Sequence, residues 1–211
     1  METEKPKAPG ALLADSRQTL REVLRWVEEE PAKVFEVFPG LSLAEQLSVL
    51  LLTSGPLRQD LILSSPLAGK LVPMLPEQEV YLAVKEIGFE DALPVLALMS
   101  HEQLRYVSDL EVWNQERFEA KPFLAFVKII HQCGEDKMAE WLDTIDPELL
   151  VLFMKEYGSV TKFDVTKDPV EDTDQYGAIT YDGYYRYHPK RQEFAPLLDP
   201  VLRILKASSP E

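Results

Sequence analysis

Helix start signals recur along the middle of this chain, and their spacing leaves few ways to fold it. "LPEQEV" from 75, "MSHEQL" from 99 and "IDPELL" from 145 each place a hydrophobic residue, then Pro or a capping residue, then an acid in the first turn. The positive end of the helix dipole favours acids there. Weaker starts lie at "FEDAL", "AKPFL" and "GEDKM". Pro76 and Ser100 are 24 positions apart and Lys121 and Asp146 are 25, the length of two short antiparallel helices with their turns.

Each of these helices carries apolar residues at i, i+3, i+4 and i+7. The sets are Val80, Ala83, Val84 and Ile87; Phe123, Phe126, Val127 and Ile130; Met138, Trp141, Leu142 and Ile145; Leu150, Phe153, Met154 and Tyr157. A helix with one apolar stripe needs a neighbour to cover it. The expected fold is therefore mainly α, with short antiparallel helical hairpins in a superhelical, solenoid-like array. Gly88, Gly134 and Gly158 follow three of the stripes and are read as left-handed terminators. Pro94 is tolerated in the first turn of a helix from Glu90 or Asp91, or moves its start to residue 93. Upstream, Asp15 caps a stripe of Leu20, Val23, Leu24 and Val27 that Pro31 closes. Ser42 and Glu45 form a capping box for a helix that ends at Gly55.

After Gly158 leucine gives way to Thr, Val, Tyr and Asp in an alternation suited to extended chain. "AITYDGYYRYHP" predicts a β-hairpin pairing Ile179–Tyr181 with Tyr184–Tyr187 across a two-residue Asp182-Gly183 turn. Tyr181 and Tyr184 are placed opposite each other. Tyr185 is placed on the other side, with Tyr187 joining it only through a bulge. "SVTKFDV" is a candidate third strand, and a lone hairpin must dock or gain a strand to persist. The chain returns to helix in "EFAPLLDPVLRILKA", with Leu198, Val201, Leu202 and Leu205 as its stripe and Asp199-Pro200 as cap and first position. The domain reading is a disordered tail over 1–14, a helical-repeat domain over 15–158, and a β-hairpin with C-terminal helix over 159–211 packed on that same domain.

The central blocks, "LPEQEVYLAVKEIGFEDALPVLALMSHEQLRYVSDLEVW", "AEWLDTIDPELLVLFMKEYGSVTKFD" and "TYDGYYRY", resemble an uncharacterised bacterial family known only as a domain of unknown function. The resemblance covers roughly residues 56 to 200 and implies no activity. More distantly, the short acid-capped helices look like the superhelical N-terminal domain of MgtE-type magnesium transporters.

Charge and composition narrow the functions. A net charge of −14, from 22 Lys+Arg against 36 Asp+Glu, opposes nucleic-acid binding through long-range repulsion. The apolar runs are far shorter than the roughly 20 residues of a membrane-spanning helix, so no membrane insertion is expected. A single cysteine, Cys133, excludes an internal disulfide, and "METEKPKAPG" lacks the basic start and apolar stretch of a secretory signal, so a cytoplasmic setting is expected.

Catalytic and cofactor chemistry finds little to use. His131 and Cys133, two apart, diverge by about 200° on a helix and cannot easily share an ion. "DTDQYGAITYDG" begins like a calcium loop, but Tyr176 and Gly183 occupy positions that need oxygen ligands. Asp168, Asp172 and Asp174 are left as a weak divalent-metal candidate. No nucleophile elbow, Cys-His pairing or phosphate-cradling glycine loop is present in the sequence, and no catalytic residue or cofactor is assigned.

The expected function is a non-enzymatic helical-repeat scaffold binding a protein or peptide partner. The hairpin forms one wall of its groove, Trp113, Tyr184 and Tyr185 act as anchors, and an acidic rim favours a basic partner. Trp113 poses a choice between contact surface and buried packing at a repeat junction. The alternatives are a regulatory module sensing a divalent cation, Mg or Ca, through clustered carboxylates, and an enzyme of unrecognised type.

Overall fold

The computed structural model describes residues 16–115, 117–162, 179–181 and 184–208. Contacts divide the chain into two compact units, Met1–Ser100 and His101–Glu211. The class is mainly α with a small C-terminal antiparallel β element, as the periodicities predict.

The first unit holds α1 (Ser16–Glu29), α2 (Pro31–Val37), α3 (Leu43–Leu51), α4 (Gly55–Ser64), α5 (Ala68–Met74), α6 (Glu77–Ile87) and α7 (Leu93–Leu96). Pro31 follows the end of α1 and opens α2, where its missing N–H costs nothing. The capping box forms. Ser42 Oγ accepts from the Glu45 N–H at 3.4 Å, and Glu45 Oε2 accepts from the Ser42 N–H at 2.9 Å. Gly55 begins α4 with φ of 50° instead of ending α3, which stops at Leu51. Pro94 sits in the first turn of a one-turn α7 that starts at Leu93. Helix α4 packs on α5, α6 and α7 around buried Leu61, Ile62, Leu71 and Leu96. The Arg58 side chain, 5% exposed, crosses from α4 to α6. Its Nε donates to the Thr53 carbonyl at 2.6 Å, Nη1 to the Glu79 carbonyl at 2.9 Å and Nη2 to Glu79 Oε2 at 2.9 Å.

The second unit holds α8 (His101–Val112), a two-residue ribbon of β1 (Trp113–Asn114) and β2 (Arg117–Phe118), α9 (Ala120–Gln132), α10 (Glu135–Leu142), α11 (Pro147–Tyr157), β3 (Gly158–Lys162), β4 (Tyr185–Pro189) and α12 (Ala195–Ser208). Asp146 caps α11 by accepting from the Glu148 N–H at 2.8 Å. Helices α8, α9 and α10 pack on one another, α11 packs on α9, and α12 returns against α10 and α9. An aromatic cluster fills the core, with Phe123 centred 4.6 Å from Phe153 and 5.6 Å from Trp141. Arg203 on α12 holds Glu135 at the start of α10 through two contacts of 2.5 and 3.1 Å.

Three expectations about this unit are corrected. Helix α12 starts at Ala195, so Asp199 and Pro200 lie inside it and do not cap it. The hydrogen bond that Pro200 cannot make would end on the Pro196 carbonyl in the first turn, so the helix forgoes one bond near its end and continues. Gly158 is not a left-handed terminator. Its φ of −157° and ψ of −175° are extended, and it opens β3. The main partner of β4 is β3, in a ladder from Gly158↔Pro189 to Lys162↔Tyr185. On the other edge of β4, Ile179 pairs with Tyr187 through two 2.9 Å hydrogen bonds. That register sets position 181 opposite 185 and leaves Tyr184 ahead of the strand. Asp182 and Gly183 lie outside the described residues.

Candidate functional site

The apolar stripes of α11 and α12 divide between two tasks. On α11, Leu149, Phe153 and Tyr157 are buried, while Leu150 and Met154 are only half-buried and Val151 is 56% exposed. On α12, Leu198, Val201 and Ile204 are buried, and Leu202 and Leu205 are half-buried. The partly covered residues of both helices line one groove with a cavity volume of about 520 Å³. Its third wall is the β element, through Val160 of β3, Ile179, Tyr181, and Tyr185 and Tyr187 of β4. The lining is apolar and aromatic, and its charged members among the described residues are Lys155 and Lys206.

Two tyrosines fix this wall. Tyr187, 4% exposed, donates its hydroxyl to the Met154 carbonyl at 2.7 Å, and burial pushes the phenol above its usual range. Gly158 on β3 makes room for it, since a Cβ there would stand 2.1 Å from Tyr187 Cζ. Tyr181 reaches across to α12, where its hydroxyl donates to the Asp199 carboxylate. Burial, then the hydrogen bond to Asp199 and that residue's charge, push the Tyr181 phenol up to about 12. The native state therefore holds this proton at a pH where the unfolded chain, with a phenol near 10, has lost it. The contribution of Tyr181 is complete below pH of about 10 and declines as pH rises from there through about 12. A melting series over that range is expected to fall less steeply for Tyr181→Phe than for the parent chain.

The three anchors read from the sequence occupy different places. Tyr185, 52% exposed, lines the groove. Tyr184, 67% exposed, and Trp113 do not line it. Trp113 is 43% exposed rather than buried, and meets Phe118 edge to face at 6.2 Å. Tyr185 and Tyr187 share a face in a regular ladder with no bulge, because residues two apart on a strand point the same way. Asp168, Asp172 and Asp174 lie outside the described residues.

The groove residues that sequence reasoning missed had a signal. "LLVLFM", residues 149 to 154, is six apolar residues in a row, wider than a single buried stripe requires.

Catalytic arrangements are weak among the described residues. Burial pushes the Cys133 thiol up, the wrong direction for a nucleophile. The Asp109 carboxyl is raised, mainly by burial, with Arg105 opposing and Asp146 adding to it, but Asp109 is exposed on α8 and outside the groove. His101 faces Glu140 at 3.1 Å and His188 meets Thr161 at 2.7 Å. No group of three His, Cys, Asp or Glu side chains that could hold a metal ion occurs among the described residues. No helix among them is long and apolar enough to cross a membrane.

Comparison with known proteins gives one result. The model of a family described as a family of unknown function (DUF6178) matches residues 36–211. No curated protein and no solved structure matches, and the distant likeness to the MgtE-type domain has no counterpart in these comparisons.

Proposed function

We propose, for a chain that belongs to this family of unknown function, a non-enzymatic role in which the groove of the second unit docks an apolar segment of a protein or peptide partner. One observation carries the reading. Two helices leave part of their apolar stripes only partly covered along the same cavity, and a folded protein rarely exposes such a surface without a use for it. An amphipathic helix is the natural occupant, because its i, i+3 or i+4, and i+7 side chains need a groove lined on facing walls. Tyr185 is retained as an anchor. A cytoplasmic setting accords with the lone, half-buried cysteine.

Selection of a random displayed-peptide library against the full chain tests this. Enriched sequences are expected to space apolar residues at helical intervals. Val151→Glu, at a solvent-facing position, is expected to weaken them at least about tenfold, the equivalent of losing one buried aliphatic contact, with the melting temperature unchanged. Absence of enrichment, or enriched peptides indifferent to Val151→Glu, would remove the groove from consideration.

A further inference from the structure

We infer that the segment docking in this groove is acidic, an amphipathic helix whose carboxylates meet Lys155 and Lys206. The inference rests on the docking reading above and adds the sign of the partner's charge. It reverses the basic partner expected from net charge, because a net charge describes the whole surface and a ligand feels the local field.

Among the described residues, the cavity lining holds two ammonium groups and no carboxylate. In a chain with 36 acids and 22 basic residues, a stretch of surface drawn at random would favour the opposite composition. Several other cations of the chain have acidic neighbours, among them Arg58 with Glu79, Lys137 with Glu140, Arg203 with Glu135 and Arg25 with Glu29. Lys155 and Lys206 make no such ion pair among the described residues. Both lie in the last turns of their helices, α11 and α12, where the helix dipole favours a cation. The dipole explains a lysine at each end but not the absence of carboxylates from the described lining. An apolar ligand settling over the groove would dehydrate both ammonium groups. A ligand carrying carboxylates at its margin offsets that cost, and a basic one adds repulsion to it.

The shape favours a peptide over a single-chain amphiphile. Val151, Val160 and Tyr185 are each more than half exposed, so the cavity covers one face of its occupant and leaves the rest in water. A helix with one apolar stripe is satisfied by that, whereas small-molecule sites enclose most of their ligand.

The test uses three synthetic helical peptides with the same apolar stripe, flanked by Glu, Gln or Lys, measured by fluorescence anisotropy against the full chain. Phosphatidylglycerol vesicles are measured in parallel by co-sedimentation. The Glu peptide is expected to bind about tenfold more tightly than the Gln peptide and more than that over the Lys peptide, the scale of two partly exposed ion pairs. That advantage is expected to shrink at 0.5 M NaCl. Lys155→Glu with Lys206→Glu is expected to invert the order, and the corresponding Gln pair to level it, with melting unchanged since neither side chain holds the fold together. Equal binding of all three peptides overturns the acidic assignment and leaves the docking reading intact. Failure of all three overturns the docking reading itself. Vesicle binding that outcompetes the Glu peptide and depends on the two lysines overturns the choice of a peptide.

Discussion

Gly158→Ala is expected to destabilise the protein by about 3 kcal/mol or more, an unusual cost for one methyl group at a position whose backbone any residue can adopt. The cause is space. A Cβ at residue 158 would stand 2.1 Å from Tyr187 Cζ, 2.2 Å from its hydroxyl oxygen and 2.6 Å from Cε1. The ring cannot yield cheaply, because it is buried and its hydroxyl is spent on the Met154 carbonyl. Overpacking of this kind costs about 1–3 kcal/mol, and stranding the buried hydroxyl adds about 1–3 more. Urea denaturation of the single variant gives the size of the effect, and a double-mutant cycle gives its cause. With the ring removed by Tyr187→Ala, adding the methyl at 158 should cost less than about 1 kcal/mol. A penalty that persisted in that background would refute steric exclusion by the ring.

Arg58→Met is expected to cost about 3 kcal/mol in the first unit. The guanidinium bonds the Thr53 carbonyl, the Glu79 carbonyl and the Glu79 carboxylate, so one side chain ties the start of α4 to the first turn of α6. Methionine fills the space but takes the donors from the Thr53 carbonyl and the Glu79 carboxylate, and breaking a buried pair from one side typically costs about 3–5 kcal/mol. Glu79 retains partial access to water, which places the expectation at the low end. Arg58→Lys should also be destabilising, because an ammonium cannot reproduce the planar fork that serves three acceptors. Glu79→Gln added to Arg58→Met should recover part of the loss. A melting temperature unchanged by Arg58→Met would show that the contact contributes nothing.

What could be read from the sequence was whatever depends on local spacing. The capping box at Ser42 and Glu45, the Asp146 cap and the starts of α6, α8 and α11 follow from a few adjacent residues, and the structure has them. The role of Gly158 could not be read this way, because its reason is a tyrosine 29 positions later. The register of β4 was hidden for the same reason. The Asp182-Gly183 signal is local, whereas the five-pair ladder with β3 joins segments separated by more than twenty residues. The groove falls between these cases. Periodicity identified the α11 and α12 stripes but could not say which members meet the core and which meet water, since that depends on where α12 returns. The sign of charge in the groove was masked by the chain's overall acidity, a sum that carries no positional information.

Strand β4 has a further consequence for the behaviour of the chain in concentrated solution. "YRYHP" combines alternating tyrosines with an extended backbone, the sort of segment that recruits a second copy when its amides are free. Here β3 occupies one side of the strand along its whole length, and Ile179 closes the other side at Tyr187. The arrangement that builds one wall of the groove thus also leaves fewer of the strand's amides open to pairing with a second copy.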